Sequence, residues 1–341
     1  MIKGFITGSF RPFHKGHEAL IDYAKTNCDE LTIFITTLPD ETIPYKYRLK
    51  WVLSTYLDDP KVTIVSDTIN EPNLTGDALS IWWGFYIKNK YGNFDRVFTS
   101  ENYGYVFAES MGATHYSFNF DRTNIPISAT KIRKKPITNW DYLNNFAKDF
   151  FVKKIAIIGT ESTGKTVLCK HLAKHYNTSW APEAGDEIVS NTNDAKDIDI
   201  IRLIGKEHAK NIIKHTRQAN KVLFVDTDMN ITKSYAKFLC DEDVEFEPWI
   251  NKANEIDLYI HLDSSAPFVQ NGRRLENNQR LELEKFHLKQ FELANIEFKT
   301  FSFKPVTIKP RPKHYADIVN RHYNERTDNI INYIDLFLSK Y

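Results

Sequence analysis

The sequence predicts two consecutive α/β domains, each built on a parallel, doubly wound sheet. Three observations carry that expectation. Strand-like runs alternate with helical stretches through both halves, which implies βαβ units rather than hairpins. The 341 residues are more than one core comfortably serves. A strand running into a glycine-rich phosphate-binding loop, KKIAIIGTESTGKT, begins at residue 153, almost halfway along, as a second unit would.

In the first half, strands are expected at 2–7, 31–37, 61–66, 96–100 and 114–118. Helices are expected between them at 16–27, 46–57 and 76–90. A polar and aromatic stretch from Pro136 to Lys154 then precedes a new buried run, IAII (155–158), so the domain boundary falls near 150. The second half restarts with a helix at 167–176 and strands at 221–226 and 257–262. A polar helix around 276–293, a strand at 297–302 and an amphipathic helix over 313–339 complete it.

Composition narrows the function classes. Hydrophobic residues make up 42% and charged residues 26%, ordinary values for a soluble globular chain. A net charge of +1 supplies no general field for nucleic acid or a membrane surface, so anions must be bound at local sites. Cys28, Cys169 and Cys240 are scattered without CxxC spacing. That usage fits a reducing cytoplasm and argues against a disulfide framework or a zinc site. No apolar run is long enough to span a bilayer, and the first residues do not resemble a signal peptide.

Residues 8–17, GSFRPFHKGH, join the first strand to a helix starting near Gly16. A helix N-terminus presents free N–H groups and partial positive charge, and His14, Lys15 and His17 cluster there. Two imidazoles three apart suit either a metal or charge growing on a phosphoryl oxygen. A lone HxxH reads more simply as a capped helix with surface histidines; the full string G-x-F-x-P-x-H-x-G-H is far more specific. A second string, PISATKIRKK (126–135), offers the hydroxyls of Ser128 and Thr130 at a helix start and the planar fork of Arg133.

Together these strings resemble the signature of the adenylyltransferase branch of the nucleotidylyltransferase superfamily, which has a Rossmann-like fold. The resemblance implies transfer of AMP from ATP to an acceptor phosphate, with release of pyrophosphate. It places Gly8, Ser9, Phe10, Lys15, Ser128, Thr130 and Arg133 around ATP, with His14 and His17 at the transition state and Mg2+ as counter-ion.

Gly159, Thr160, Glu161, Ser162, Thr163, Gly164, Lys165 and Thr166 fit G-x-x-x-x-G-K-[ST] between a buried strand and a helix. Backbone amides would cradle phosphates, Lys165 would reach the β- and γ-phosphates, and Thr166 would ligate magnesium. The strand LFVDTD (223–228) brings Asp226 and Asp228 as magnesium ligand or hydroxyl base. Glu183 is a third base candidate and a contact for the acceptor sugar. Arg273 and Arg274 in QNGRR are candidate lid residues. With no guanine-reading element, this half reads as a P-loop small-molecule kinase.

An adenylyltransferase followed by a P-loop kinase is similar to the NadR-like family. SENYG (100–104), FDRTNIPISATKIR (120–133), the junction 139–166 and VDTDMNIT (225–232) extend the likeness over nearly the whole chain. It implies a bifunctional enzyme of NAD synthesis. Residues 151–341 would phosphorylate ribosylnicotinamide to nicotinamide mononucleotide, and residues 1–150 would convert that to NAD. Trp82 and Trp83, after Asp77, are candidate partners for the cationic pyridinium ring; adjacent helical residues diverge by about 100°, so one of the two should reach it.

Two departures stand out. Many relatives carry an N-terminal helix-turn-helix, for which there is no room before Gly8, so no nucleic-acid partner is expected. Ala184, Asp186 and Asn271 also differ from the residues relatives usually place in the acceptor and lid segments. A phosphopantetheine adenylyltransferase joined to a dephospho-coenzyme A kinase, or an adenylyltransferase with a nucleotide-sensing second half, are the alternatives; assembly as a homo-oligomer stays open.

Overall fold

The computed structural model of the chain describes residues 1–38, 41–119, 121, 123–192, 197–266, 277–304 and 315–341. They fall into two compact units, Met1–Phe151 with Tyr341, and Val152–Lys340.

The first unit alternates strands and helices: β1 (Lys3–Gly8), α1 (Lys15–Thr26), β2 (Glu30–Thr37), α2 (Tyr45–Tyr56), β3 (Val62–Thr68), α3 (Gly76–Tyr91), β4 (Arg96–Thr99), α4 (Gly104–Met111) and β5 (Thr114–Ser117). Short helices α5 (Ala129–Lys134) and α6 (Lys148–Phe151) follow. The strands form one sheet in the order β3-β2-β1-β4-β5, every pair parallel. Chain order reverses at β1, which has β2 on one side and β4 on the other. Parallel α/β sheets open a crevice at such a switch point, beyond the strands' C-terminal ends. The sequence places GSFRPFHKGH there. Phe5 on β1 is fully buried, and its ring packs against those of Phe34, Phe94 and Phe107.

The second unit contains β6 (Lys153–Ile158), α7 (Lys165–His175), β7 (Trp180–Ala181), α8 (Gly185–Thr192), α9 (Ile198–Thr216) and β8 (Val222–Asp226). After them come α10 (Met229–Cys240), α11 (Pro248–Ala253), β9 (Leu258–Leu262), α12 (Asn277–Leu293), β10 (Lys299–Phe301) and α13 (Tyr315–Leu338). Its sheet order is β10-β9-β6-β8-β7, again entirely parallel. Ile155 and Ile157 on β6 pack with Leu168 and Leu172 of α7 and with Ile330 and Ile334 of α13. The fully buried central strand explains the unbroken apolar run IAII. Both sheets match the parallel doubly wound class expected. No helix among the described residues is long and apolar enough to cross a membrane.

Phe5→Ala should destabilise the first unit by about 3–5 kcal/mol, the usual cost of emptying a core aromatic site. Hydrogen exchange should show protection lost in β1, β2 and β4 and kept in β6 and β8.

Candidate functional sites

In the first unit, His14 is the N-cap of α1, its backbone extended and its Nδ1 accepting a hydrogen bond from the Gly16 amide at 3.1 Å. A Cβ on Gly16 would lie 2.9 Å from His14 Cε1, so only glycine lets the ring fold over the helix start. The rings of His14 and His17 stack with centroids 3.7 Å apart. Phe13 lies parallel to His17 at 5.9 Å, and Phe10 meets it edge-on at 5.0 Å. Burial, helped by His14, holds the His17 imidazole well below the usual histidine range, so the ring is neutral at pH 7. A neutral imidazole N–H can still donate to a phosphoryl oxygen. Phe10, buried and at φ +48°, supports the histidine from beneath.

The second string closes on the first. Ser128 caps α5, its hydroxyl accepting from the Lys131 amide at 3.3 Å. Arg133 donates to Thr130 Oγ1 at 3.1 Å and to the Arg11 carbonyl. ISATKIR and GSFRPFHKGH, far apart in sequence, thus meet. Lys15 is exposed.

Beneath the loop lies a residue the sequence reading did not select. Arg48 on α2 is fully buried and donates to the carbonyls of Ser9 at 2.7 Å, Thr36 at 2.8 Å and Ile43 at 3.2 Å. It also pairs with Glu41, and Arg11 lies 3.5 Å from the same carboxylate. A cavity of about 390 Å³ opens beside Gly8 and Ser9, walled by Thr36, Ser80, Trp83 and Tyr103. Of the two candidate tryptophans, Trp83 lines it, with its Nε1 held by Glu71 at 2.7 Å. Trp82 stacks on Tyr86 instead, and Asp77 is exposed outside the lining.

In the second unit the loop 159–166 joins β6 to α7. Gly159 has φ +142°, and a Cβ there would lie 2.3 Å from the Leu262 carbonyl, so no other residue fits. Ser162 and Gly164 also have positive φ, 62° and 95°. Lys165 Nζ donates to the Thr160 carbonyl at 3.0 Å, and Thr163 Oγ1 donates to the same oxygen at 2.9 Å. Thr166 Oγ1 donates to Asp226 Oδ2 at 2.6 Å, which joins the loop to the end of β8. Glu183 lies close by, its Oε2 3.5 Å from Thr227 Oγ1.

Asp228 has a different setting. It caps α10, accepting from the Ile231 amide at 3.1 Å, Asn230 Nδ2 at 2.7 Å and the Tyr259 hydroxyl at 3.0 Å. These bonds favour the carboxylate, yet full burial outweighs them and raises its pKa. The geometry gives it an architectural task. Arg273, Arg274 and Asn271 lie outside the described residues, as does the Asp186 side chain.

The sequence reading also missed two arginines behind this loop. Arg280 on α12 donates to the carbonyls of Glu161 at 3.2 Å and Ser264 at 3.3 Å. Arg326 on α13 donates to the Thr163 carbonyl at 3.2 Å. Glu284 receives the Ser264 amide and hydroxyl at 2.8 and 2.6 Å and lies 3.5 Å from His261. All three sit at helical spacing from buried apolar neighbours (Leu283 and Phe291 on α12, Ile330 and Ile334 on α13). A charged residue in register with an apolar stripe is the signal that would have found them.

Known proteins decide the family. Residues 5–70 match the family model described as the citrate lyase ligase C-terminal domain, and residues 154–305 match one described as an AAA domain. The trifunctional NAD biosynthesis/regulator protein NadR of Escherichia coli (strain K12) is 30% identical over 80% of this chain and 71% of its own length. The chain belongs to the NadR family. The Salmonella typhimurium (strain LT2) NadR matches with the same identity and coverage. A NadR crystal structure in complex with NR superposes with a TM-score of 0.73 at 21% identity, covering 96% of both chains. A second, in complex with NAD and AMP-PNP, gives 0.72 at 20% identity over the same shares. At that identity the likeness establishes a shared NadR fold.

Two expectations follow from the geometry. Arg48→Met leaves Glu41 buried with a weakened partner and should cost about 3 kcal/mol in chemical denaturation, while Arg48→Met with Glu41→Gln should recover part of it. His287, buried on α12 with Nδ1 2.7 Å from Ser234 Oγ, is pushed down to about 3 by burial. Its folded pKa lies below the unfolded value of about 6.5, so the unfolded state binds the extra proton. Stability should therefore be full above about pH 6.5 and fall as pH drops towards 3. His287→Gln should flatten that fall by on the order of 3 kcal/mol at pH 4, read from unfolding curves across the pH range.

Proposed function

We propose that this chain is a bifunctional enzyme of NAD synthesis. Residues 151–341 phosphorylate ribosylnicotinamide with ATP, and residues 1–150 transfer AMP from ATP to the resulting mononucleotide. The observation that carries the reading is the presence of two intact phosphate-binding loops in one chain of the NadR family, each after the central strand of its own parallel sheet.

In the kinase half the acceptor hydroxyl attacks the γ-phosphorus of ATP, the bond to the bridging oxygen breaks, and ADP leaves. The loop amides and Lys165 hold the phosphates; the Lys165 ammonium exchanges the Thr160 carbonyl for a charged phosphate oxygen, the stronger acceptor. Asp226 or Glu183 receives the hydroxyl proton. In the adenylyltransferase half, a phosphate oxygen of the mononucleotide attacks the α-phosphorus and pyrophosphate leaves. His14 and His17 stabilise charge on the reacting phosphoryl group. Lys15 and Arg133 steady the departing pyrophosphate, and Ser128 and Thr130 orient their helix. The cavity beside Gly8 accepts the pyridinium end against Trp83.

Magnesium fits the donor set of the second site, where a hydroxyl and a carboxylate, both hard oxygen ligands, stand 2.6 Å apart at Thr166 and Asp226. When bound it neutralises charge on the β- and γ-phosphates. Among the described residues no group of three or more His, Cys, Asp or Glu is placed to hold a metal; an ion ligated mainly by phosphate and water needs none.

Lys165→Ala should lower mononucleotide formation from ribosylnicotinamide at least a hundredfold and leave NAD formation from supplied mononucleotide intact. His17→Ala should do the reverse. Absence of NAD from wild-type protein given mononucleotide, ATP and magnesium refutes the reading. Phosphopantetheine, supplied in competition, should not be adenylylated.

A further inference from the structure

Arg326 is a buried cation with no carboxylate in hydrogen-bonding contact among the described residues. It is 5% exposed on α13, and one of its three guanidinium nitrogens donates to the Thr163 carbonyl. The other two, Nε and Nη1, are buried without a hydrogen-bond partner among the described residues. The rings of Phe303 and Tyr323, 5.5 and 6.0 Å from the guanidinium carbon, offer weak attraction. Asp263 acts on it only at a distance, and its oxygens are taken by Ser265 and Ser302. Arg280, on the other flank of the loop, differs: Glu284 stands one turn along its own helix.

A buried charge without a partner is costly, and folds place one where an anion will arrive. Arg326 Nη2 lies 3.3 Å from the point a Gly164 Cβ would occupy, directly behind the start of α7. On the ATP reading, the loop's amides and the N-terminus of α7 would hold the phosphates. We propose that Arg326 is a positioning residue of the kinase site. It fixes the Thr163 carbonyl and supplies, from behind the loop, a positive charge whose counter-ion is the polyphosphate of ATP. The inference rests on reading this loop as an ATP site. It separates two quantities that a purely structural arginine would move together. Without nucleotide the charge is a burden, and with nucleotide it strengthens binding.

The test is calorimetric titration of AMP-PNP with magnesium into the full-length chain as wild type, Lys165→Ala, Arg326→Gln and Arg326→Lys. The site lost in Lys165→Ala is that of the second unit. Arg326→Gln should weaken this site at least tenfold and leave the remaining site unchanged. Its melting midpoint without nucleotide should be no lower than that of the wild type. Arg326→Lys, which keeps the charge but not the planar fork, should bind more tightly than Arg326→Gln. Wild-type affinity in Arg326→Gln overturns the inference, as does equal loss in both variants with a lowered midpoint. No acceptor is needed, so the result stands whichever hydroxyl is phosphorylated. Absence of any Lys165-dependent AMP-PNP site in the wild type overturns the ATP reading itself, and the inference with it.

Discussion

A loop that turns its amide hydrogens towards a phosphate must turn carbonyl oxygens into the protein. Those oxygens leave water and need donors there. This chain meets that requirement at both loops chiefly with guanidinium groups. Arg48 takes the Ser9 carbonyl in the first unit, where Arg133 also holds the Arg11 carbonyl at an exposed position. Arg280 takes Glu161 and Arg326 takes Thr163 in the second. A neutral donor would satisfy the same oxygen. A guanidinium also keeps positive charge close to where phosphate binds, and its fork can hold several carbonyls at once, as Arg48 does with three.

The parallel sheets determine where these loops can form. Each follows the C-terminal end of a strand flanked by parallel neighbours on both sides, and each opens directly into a helix. Strand, loop and helix N-terminus then act as one device. The buried strand fixes the loop's origin, and the helix contributes amides and dipole. What differs is the means of placing side chains. The first loop caps its helix with His14 and so brings an imidazole onto the helix start. The second enters its helix through Gly164 at positive φ and leaves the site to backbone amides and Lys165. These suit reaction at an α-phosphorus and at a γ-phosphorus respectively, and chemically the phosphate ester made by one half is the acceptor for the other.

Most of the fold was legible because hydrophobic periodicity and the two glycine-containing strings are local signals. The five strands of the first unit, and β6, β8, β9 and β10 of the second, lie where alternation and apolar runs placed them. Helices α9 and α10 went unread although their buried positions, Ile201, Ala209 and Ile212 in one and Met229, Thr232 and Ala236 in the other, recur at helical spacing. Within the two strings, His14 and His17 stack on each other, and Lys165 donates to the Thr160 carbonyl. The supporting arginines went unread, because a lone arginine in a helical pattern is read as solvent-facing unless its register with the apolar stripe is weighed. Its burial is decided by carbonyls contributed from distant segments: Ser9 is 39 positions from Arg48, and Thr163 is 163 from Arg326. Asp228 has a setting its spacing did not disclose. Its spacing from Asp226 suggests a shared role, but Asp226 ends a strand whereas Asp228 begins a helix, and the intervening Thr227 at φ +72° turns the two apart.

That divergence bears on how the kinase half works. Asp228 accepts from the Ile231 amide of α10 and Asp226 accepts from Thr166, so each carboxylate already has a hydrogen-bond donor. Phosphoryl transfer through a loose transition state makes little demand on such a base, since the hydroxyl loses its proton late and charge sits mainly on the transferring group. Catalysis then depends on holding the phosphates still and compensating their charge. The side chains that hold the loop by hydrogen bonds come from β8, α12 and α13, well outside the motif itself.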